Sequence, residues 1–285
     1  LAEKLFLPNG IEFHKGSLYV ATPKDITRYD NIEDKLDNPG TPAMVYDKLP
    51  GEVPHGWKFI KIGPDGKLYV PVGAPCNICE PENPIYCSIT RIDVDKPGEP
   101  EVVQRGIRNT VGFTWHPVTG DLWFTDNGRD WLGDDSPSCE LNCAPEDGMH
   151  FGYPYCHQGD TKDPKFGDKR PCSDFTPPVQ KLGPHVAPLG MEFYTGNSFP
   201  AAYKNQAFIA RHGSWNRSQK IGYDIALVRL DEKGKSLGQE SFATGWLEGE
   251  EVWGRPVDIE LLPDGSMLVS DDHANAIYRI YYDGK

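Results

Sequence analysis

A strand–turn–strand pattern recurs five times along this chain, and no other feature restricts the possible folds as much. It reads GIEFHKGSLYVAT at 10–22, WKFIKIGPDGKLYVPVG at 57–73 and VGFTWHPVTGDLWFTD at 111–126. A looser copy spans 191–213, and VDIELLPDGSMLVSDD at 257–272 is the last. Each copy sets an alternating strand against a second apolar strand across a glycine-containing turn. Third strands are expected at 26–30, 88–95, 225–231 and 276–282, and fourth strands at 43–49 and 100–106. No convincing long helix interrupts them. Four short antiparallel strands per repeat predict an all-β fold, a β-propeller. Residues 1–285 are read as one propeller domain with a loop insertion over about 130–182. The aromatics Trp57, Phe59, Phe113, Trp115 and Phe193 are read as packing between blades.

Composition narrows the function classes. With 29 basic against 42 acidic residues the net charge is -13, which opposes binding along a phosphate backbone. Nucleic acid is therefore not an expected partner. No apolar stretch approaches the length of a membrane-crossing helix. The chain opens at Leu1 without a signal-peptide pattern, and so reads as a mature or trimmed product. Seven cysteines at 76, 79, 87, 139, 143, 156 and 172 suit disulfides in an exported protein, periplasmic or secreted. A zinc site would need a second Cys-x-x-Cys, and haem attachment a histidine where Glu80 stands. Local bracketing of short loops pairs Cys76 with Cys79, Cys156 with Cys172 and Cys139 with Cys143, leaving Cys87 over.

Residues flanking the inner strands of a propeller crowd one mouth of its channel. Here these are His55 before the second repeat, Arg108 and Asn109 before the third, and 127–130 after its second strand. His185 precedes the fourth repeat, Arg211 and His212 follow its second strand, Arg255 precedes the fifth, and Asp271 and Asp272 close its hairpin. Taken singly, Asp130, Asp134 and Asp135 read as solvated loop charges. Taken together, a histidine, three arginines and several carboxylates suit an anionic ligand plus a cation.

These segments, with GYPYCHQGD, LGPHVAPLGMEF, HGSWNRS and WGRPVDIELLPDGSMLVSDD, resemble the pyrroloquinoline quinone (PQQ)-dependent soluble sugar dehydrogenases, in particular the L-sorbosone dehydrogenase branch. The resemblance covers essentially the whole chain. It implies a six-bladed propeller, about five blades of which are evident here, holding PQQ in the mouth beside calcium. By the same resemblance His55 is the catalytic base, and Arg108 and Asn109 contact quinone and substrate. Gly128 and Arg129 offer backbone carbonyls to the calcium ion. Arg255 pairs with a PQQ carboxylate, His185 and Ala187 lie in the cofactor-lining segment 184–188, and Asp271 belongs to the same cofactor set. The family's first blade is absent upstream of Leu1, with 2–6 reading as its outer strand or as the closing strand of the last blade. Val257 stands where glucose-oxidising relatives carry a second arginine. Their cofactor-contacting lysine has no clear counterpart, and Arg211 or Arg217 is the candidate substitute.

The implied activity is oxidation of a sugar or sugar-derived aldehyde, with electrons passed to a quinone or a cytochrome. The residues suit it, since arginines bind carboxylates in bidentate fashion and imidazole takes a hydroxyl proton. Two other readings stand beside this one. LPNGIEF and the SDD turn also fit a metal-dependent lactonase, and a propeller fold alone permits a non-catalytic binding module.

Overall fold

The computed structural model describes residues 2–284 and shows five blades of antiparallel strands. Blade one comprises Gly10–His14, Ser17–Ala21, Ile26–Tyr29 and Ala43–Tyr46. Blade two comprises Lys61–Ile62, Leu68–Val72, Ser88–Ile92 and Glu101–Arg105. In blade three the strands are Phe113–Trp115, Leu122–Asp126, Ser138–Ala144 and Gln180–Pro184. Blade four runs through Pro188–Phe193, Ala207–Arg211, Asp224–Leu230 and Ser236–Ala243. Blade five has three strands, Pro256–Leu261, Met267–Asp271 and Ala276–Ile280. Among the described residues the helices are three short 3-10 turns. Gly16, Gly66, Gly120 and Gly265 sit in the hairpin turns with φ between 76° and 83°, a conformation that side-chain-bearing residues resist.

Aromatic pairs lock neighbouring blades, as the pattern predicts. Tyr69 of blade two meets Trp115 of blade three edge-on at 5.0 Å, and Trp123 of blade three meets Phe193 of blade four at 5.5 Å. Phe113 and Phe193 are fully buried, whereas Trp57 departs from the expectation and is 41% exposed. Charge also gathers between blades. Lys61 of blade two bonds Glu192 of blade four at 2.8 Å, and Glu12 of blade one accepts the Ile62 N–H at 3.0 Å.

Three expectations require correction. Residues 2–6 form no strand, either as a remnant blade or as the closing strand of blade five. Lys4 and Leu7 take positive φ values of 61° and 47°, which breaks an extended run. The segment 130–182 is not a single insertion, because it contains the third strand of blade three, Ser138–Ala144, and reaches into the fourth. The excursion proper lies between those strands, from 145 to 179. Lastly, Cys139 and Cys143 are unpaired, as is Cys87. They lie four residues apart on one extended strand, about 13 Å at 3.3 Å per residue, beyond the reach of a disulfide.

Cys76–Cys79 and Cys156–Cys172 are bonded as expected. The latter spans 16 residues of a polar excursion whose regular structure is one two-stranded ribbon and one 3-10 turn. In the chain-entropy picture a loop of that size contributes about 3 kcal/mol. A Cys156→Ser, Cys172→Ser double variant should therefore unfold at lower denaturant and be cleaved by protease between 157 and 171. An unchanged urea midpoint would show that the excursion is held by its other contacts.

Candidate active site

The site starts where the second strand of blade three ends. Asp126 is buried at that exit and accepts the backbone N–H groups of Arg108, at 2.9 Å, and Asn109, at 2.6 Å. Asn127 donates through its side chain to the carbonyls of Asn109 and Pro188. The segment entering the blade is thus clamped to the segment leaving it. The same device recurs in blade five, where Asp271 accepts the Arg255 N–H at 3.0 Å. A carboxylate closing the second strand fixes an arginine before the first.

Arg108 is 4% exposed and every branch of its guanidinium is engaged. Nε donates to the Asn77 carbonyl at 2.9 Å, and Nη2 to Asn77 Oδ1 at 2.9 Å and Asp130 at 3.1 Å. Nη1 donates to the Asn127 carbonyl at 3.1 Å. Asn77 lies inside the Cys76–Cys79 bridge, so this short staple has a placement role as well as a covalent one. Asp130 is no solvated loop charge: it bonds Arg108 and also accepts from Asn216 at 2.8 Å. Asp134 and Asp135 remain at the surface, facing Ser218 and Arg217.

His55 approaches the same place from blade two with φ 52°. Its Nδ1 lies 2.7 Å from the Ala74 carbonyl. A carbonyl only accepts, so Nδ1 carries the hydrogen and Nε2 keeps its lone pair. Gly73 makes the approach possible, since a Cβ there would lie 2.6 Å from His55 Cβ. Burial, then the charges of Arg108 and buried Lys58, push the imidazole pKa down to about 4, against the opposing hydrogen bond to Ala74. The ring is therefore neutral near pH 7.

His55, Arg108, Asn109, Gly128, His185 and Ala187 line one cavity of about 210 Å³. Asn127 and Asp130, expected at the mouth, complete its wall together with Cys139, Trp215 and Asn216, none of which stands out in the sequence as a ligand by type and position alone. Behind the wall, Asp126 faces Glu140 in the strand register. Glu140 accepts the Gln158 N–H at 2.6 Å and the Asn142 side chain at 3.1 Å. Burial raises the pKa of both carboxyls, and at Glu140 the charge of Asp126 adds to the rise, so the pair resists full ionisation. For Glu140 the folded pKa exceeds the unfolded one, so its stabilising contribution is present at low pH and lost as pH rises. Glu140→Gln should accordingly gain Tm relative to the parent between pH 5 and pH 9. A Tm difference that stays constant over that range would mean the pair ionises freely.

Other expected site residues are placed elsewhere. Arg211 pairs with Asp224 across its own blade and donates to the Leu182 carbonyl, away from the cavity wall. Arg217 bonds the Asp134 carbonyl and Asp135. The Arg129 side chain turns inward to Asp163 at 2.7 Å, which also takes His157 at 2.9 Å, anchoring the excursion. Arg255 donates to the carbonyls of His212 and Gly213 and lies over the Tyr223 ring, joining blades four and five. It pairs with neither Asp258 nor Glu260. Asp271 takes the N–H groups of Arg255, His273 and Ala274 and the Tyr278 hydroxyl, while Asp272 bonds His212. These two carboxylates, on which the lactonase reading rests, are thus held by protein donors.

The family profile described as glucose/sorbosone dehydrogenase matches residues 90–279, about two thirds of the chain. The chain belongs to the glucose/sorbosone dehydrogenase family. An uncharacterized protein of Borreliella burgdorferi is 36% identical over 99% of this chain and 78% of its own length. A PQQ-dependent pyranose dehydrogenase of Coprinopsis cinerea is 41% identical over a short segment, 18% of this chain and 6% of that one. Among solved structures, the holo PQQ domain of the Coprinopsis pyranose dehydrogenase superposes with a TM-score of 0.79 at 19% identity, covering 96% of this chain and 81% of that one. The PQQ-bound aldose sugar dehydrogenase of Streptomyces coelicolor gives 0.64 at 17% identity, covering 98% and 95%. At these identities the superpositions speak for the fold, and the glucose/sorbosone dehydrogenase assignment rests on the profile.

The cavity suits a polyanionic quinone in several respects. It is lined by a buried guanidinium, three asparagine amides and an imidazole whose Nε2 is an acceptor, with Gly128 supplying backbone without a side chain. Among the described residues no group of three or more His, Cys, Asp or Glu is placed to hold a metal. A calcium ion here would draw its protein ligands from carbonyl oxygens, those of Gly128 and Arg129 in the expected scheme.

Proposed function

We propose that this chain is a PQQ- and calcium-dependent dehydrogenase of a neutral sugar or sugar-derived aldehyde, close in substrate type to the L-sorbosone branch. One observation carries the reading: His55, whose Nε2 remains an acceptor, lines the same cavity as Arg108 and Asn109. When bound, PQQ beside calcium supplies an electrophilic quinone that accepts hydride from the substrate carbon.

The residues of the chain do the rest. His55 Nε2 takes the proton from the hydroxyl on that carbon, leaving the carbonyl product and an imidazolium. Arg108 places a fixed positive charge where negative charge grows on an oxygen, and Asp126 holds the Arg108–Asn109 backbone in register for it. The Nδ1 bond to Ala74 keeps the ring from rotating and fixes its tautomer. Arg255, with two nitrogens on carbonyls, offers its remaining one to a cofactor carboxylate from the blade-five side. Electrons leave to a quinone or a cytochrome, and the two disulfides support a periplasmic or secreted location.

The test is to titrate PQQ into the purified protein with and without calcium, following the cofactor spectrum and dye reduction on glucose, sorbosone and other aldoses. Calcium-dependent PQQ binding with turnover is expected. PQQ binding no tighter than to an unrelated protein would end this reading.

A further inference from the structure

Trp131 and Trp215 are 69% and 62% exposed, and their rings meet edge to face at 5.6 Å and 87°. Trp215 also lines the cavity that holds His55. Two large indoles left in water at the rim of a catalytic cavity call for a reason, since contiguous exposed apolar surface on a monomer marks a binding site.

The arrangement is built rather than incidental. Trp131 takes φ 69°, an unfavourable conformation for a bulky residue, so the backbone is held there against its preference. The loops carrying the two rings are laced together by polar bonds. Asp130 accepts from Asn216 at 2.8 Å, Arg217 reaches Asp135 at 3.1 Å, and the Ser218 N–H reaches Asp134 at 3.2 Å. Asp130 in turn bonds Arg108, so the platform is coupled to the cavity floor.

From this we infer that Trp131 and Trp215 form a saccharide subsite for a second sugar ring of a neutral disaccharide or longer substrate. The inference rests on the proposed sugar dehydrogenase activity and extends it. An electron-rich indole face packs against the C–H face of a pyranose, and carboxylates such as Asp134 and Asp135 accept its hydroxyls. Those carboxylates disfavour an anionic sugar at this rim. Trp215 lines the cavity and Trp131 does not, so a ring beyond the reacting one would lie outside it, over Trp131.

Calorimetric titration of the full chain with glucose, maltose and cellobiose, before and after loading with PQQ and calcium, tests this. At least one disaccharide should bind about tenfold tighter than glucose. Trp131→Ala should remove that advantage while leaving glucose affinity and PQQ binding as they were, and Trp131→Phe should restore most of it. Equal binding of glucose and both disaccharides, or none by either, overturns the subsite, as does a disaccharide preference that survives in a folded Trp131→Ala variant. A Trp131→Ala effect confined to the KM of a protein electron acceptor would assign the pair to partner docking instead, and also overturns it. Failure of PQQ to bind, with disaccharide preference intact, would remove the proposed activity and leave the subsite standing.

Discussion

Arg108→Ala is expected to lower the unfolding free energy by about 3 kcal/mol and to abolish retention of PQQ, the largest combined effect of any substitution at this site. The stability loss follows from what the guanidinium leaves behind. Its removal leaves the Asn127 carbonyl and one oxygen of Asp130 without a donor, and leaves Asn77 with only the Tyr153 hydroxyl on its carbonyl and the Asp130 N–H on its Oδ1. Buried acceptors without donors are costly, and Asp130 becomes a partly buried charge without its counter-ion. The low end of the range for broken buried pairs applies because Asp130 is 19% exposed and can recruit water. Arg108→Lys should not rescue binding, since one ammonium cannot reproduce four directed bonds on three sides. Urea melts and PQQ titrations decide the matter. An Arg108→Ala protein with the parental midpoint would show that Asn77 and Asp130 hold each other without it, through the bonds they already exchange.

The hairpins were legible because blade strands with one buried face alternate in sequence. Ser138–Ala144 escaped notice for the opposite reason. Its polar residues Glu140 and Asn142 are as buried as Leu141, because they bond one another, Gln158 and the Asp126 side of the strand. Ser236–Ala243, an outer strand with little apolar content, shows no period at all. In the site, His55, Arg108 and Asn109 were legible from their positions before inner strands. Asn77 was not, because its role depends on a disulfide loop folding it onto an arginine 31 residues away. Arg129 was read as a carbonyl ligand, yet its side chain serves the excursion through Asp163. No local pattern distinguishes a backbone role from a side-chain role at one position. Arg211 shows the same limit from the other direction: an arginine at a strand exit pairs across its sheet as readily as it faces a mouth.

His55→Ala should lower kcat by roughly 10²–10⁴-fold, the usual range for a positioned general base, while PQQ affinity changes little. The split is expected because the ring makes one bond to the protein, to the Ala74 carbonyl, and none that supports Arg108. His55→Gln, which restores bulk and a donor for Ala74 without a basic nitrogen, should remain as slow. The pH profile gives the sharper check. The folded pKa of about 4 lies below the ordinary value because burial and the neighbouring cations oppose a second proton. The neutral ring is the active form, so kcat should hold from neutral pH down to about pH 5 and fall as pH drops through about 4. Arg108 cannot be removed to test the cause, but Lys58 can: it is buried, bonds only the Gly56 carbonyl and adds to the same repulsion. Lys58→Met should therefore move the acid limb to higher pH, since losing a like charge favours the imidazolium. A His55→Ala enzyme with parental kcat, or an acid limb that ignores Lys58, would take the proton-transfer role away from this histidine.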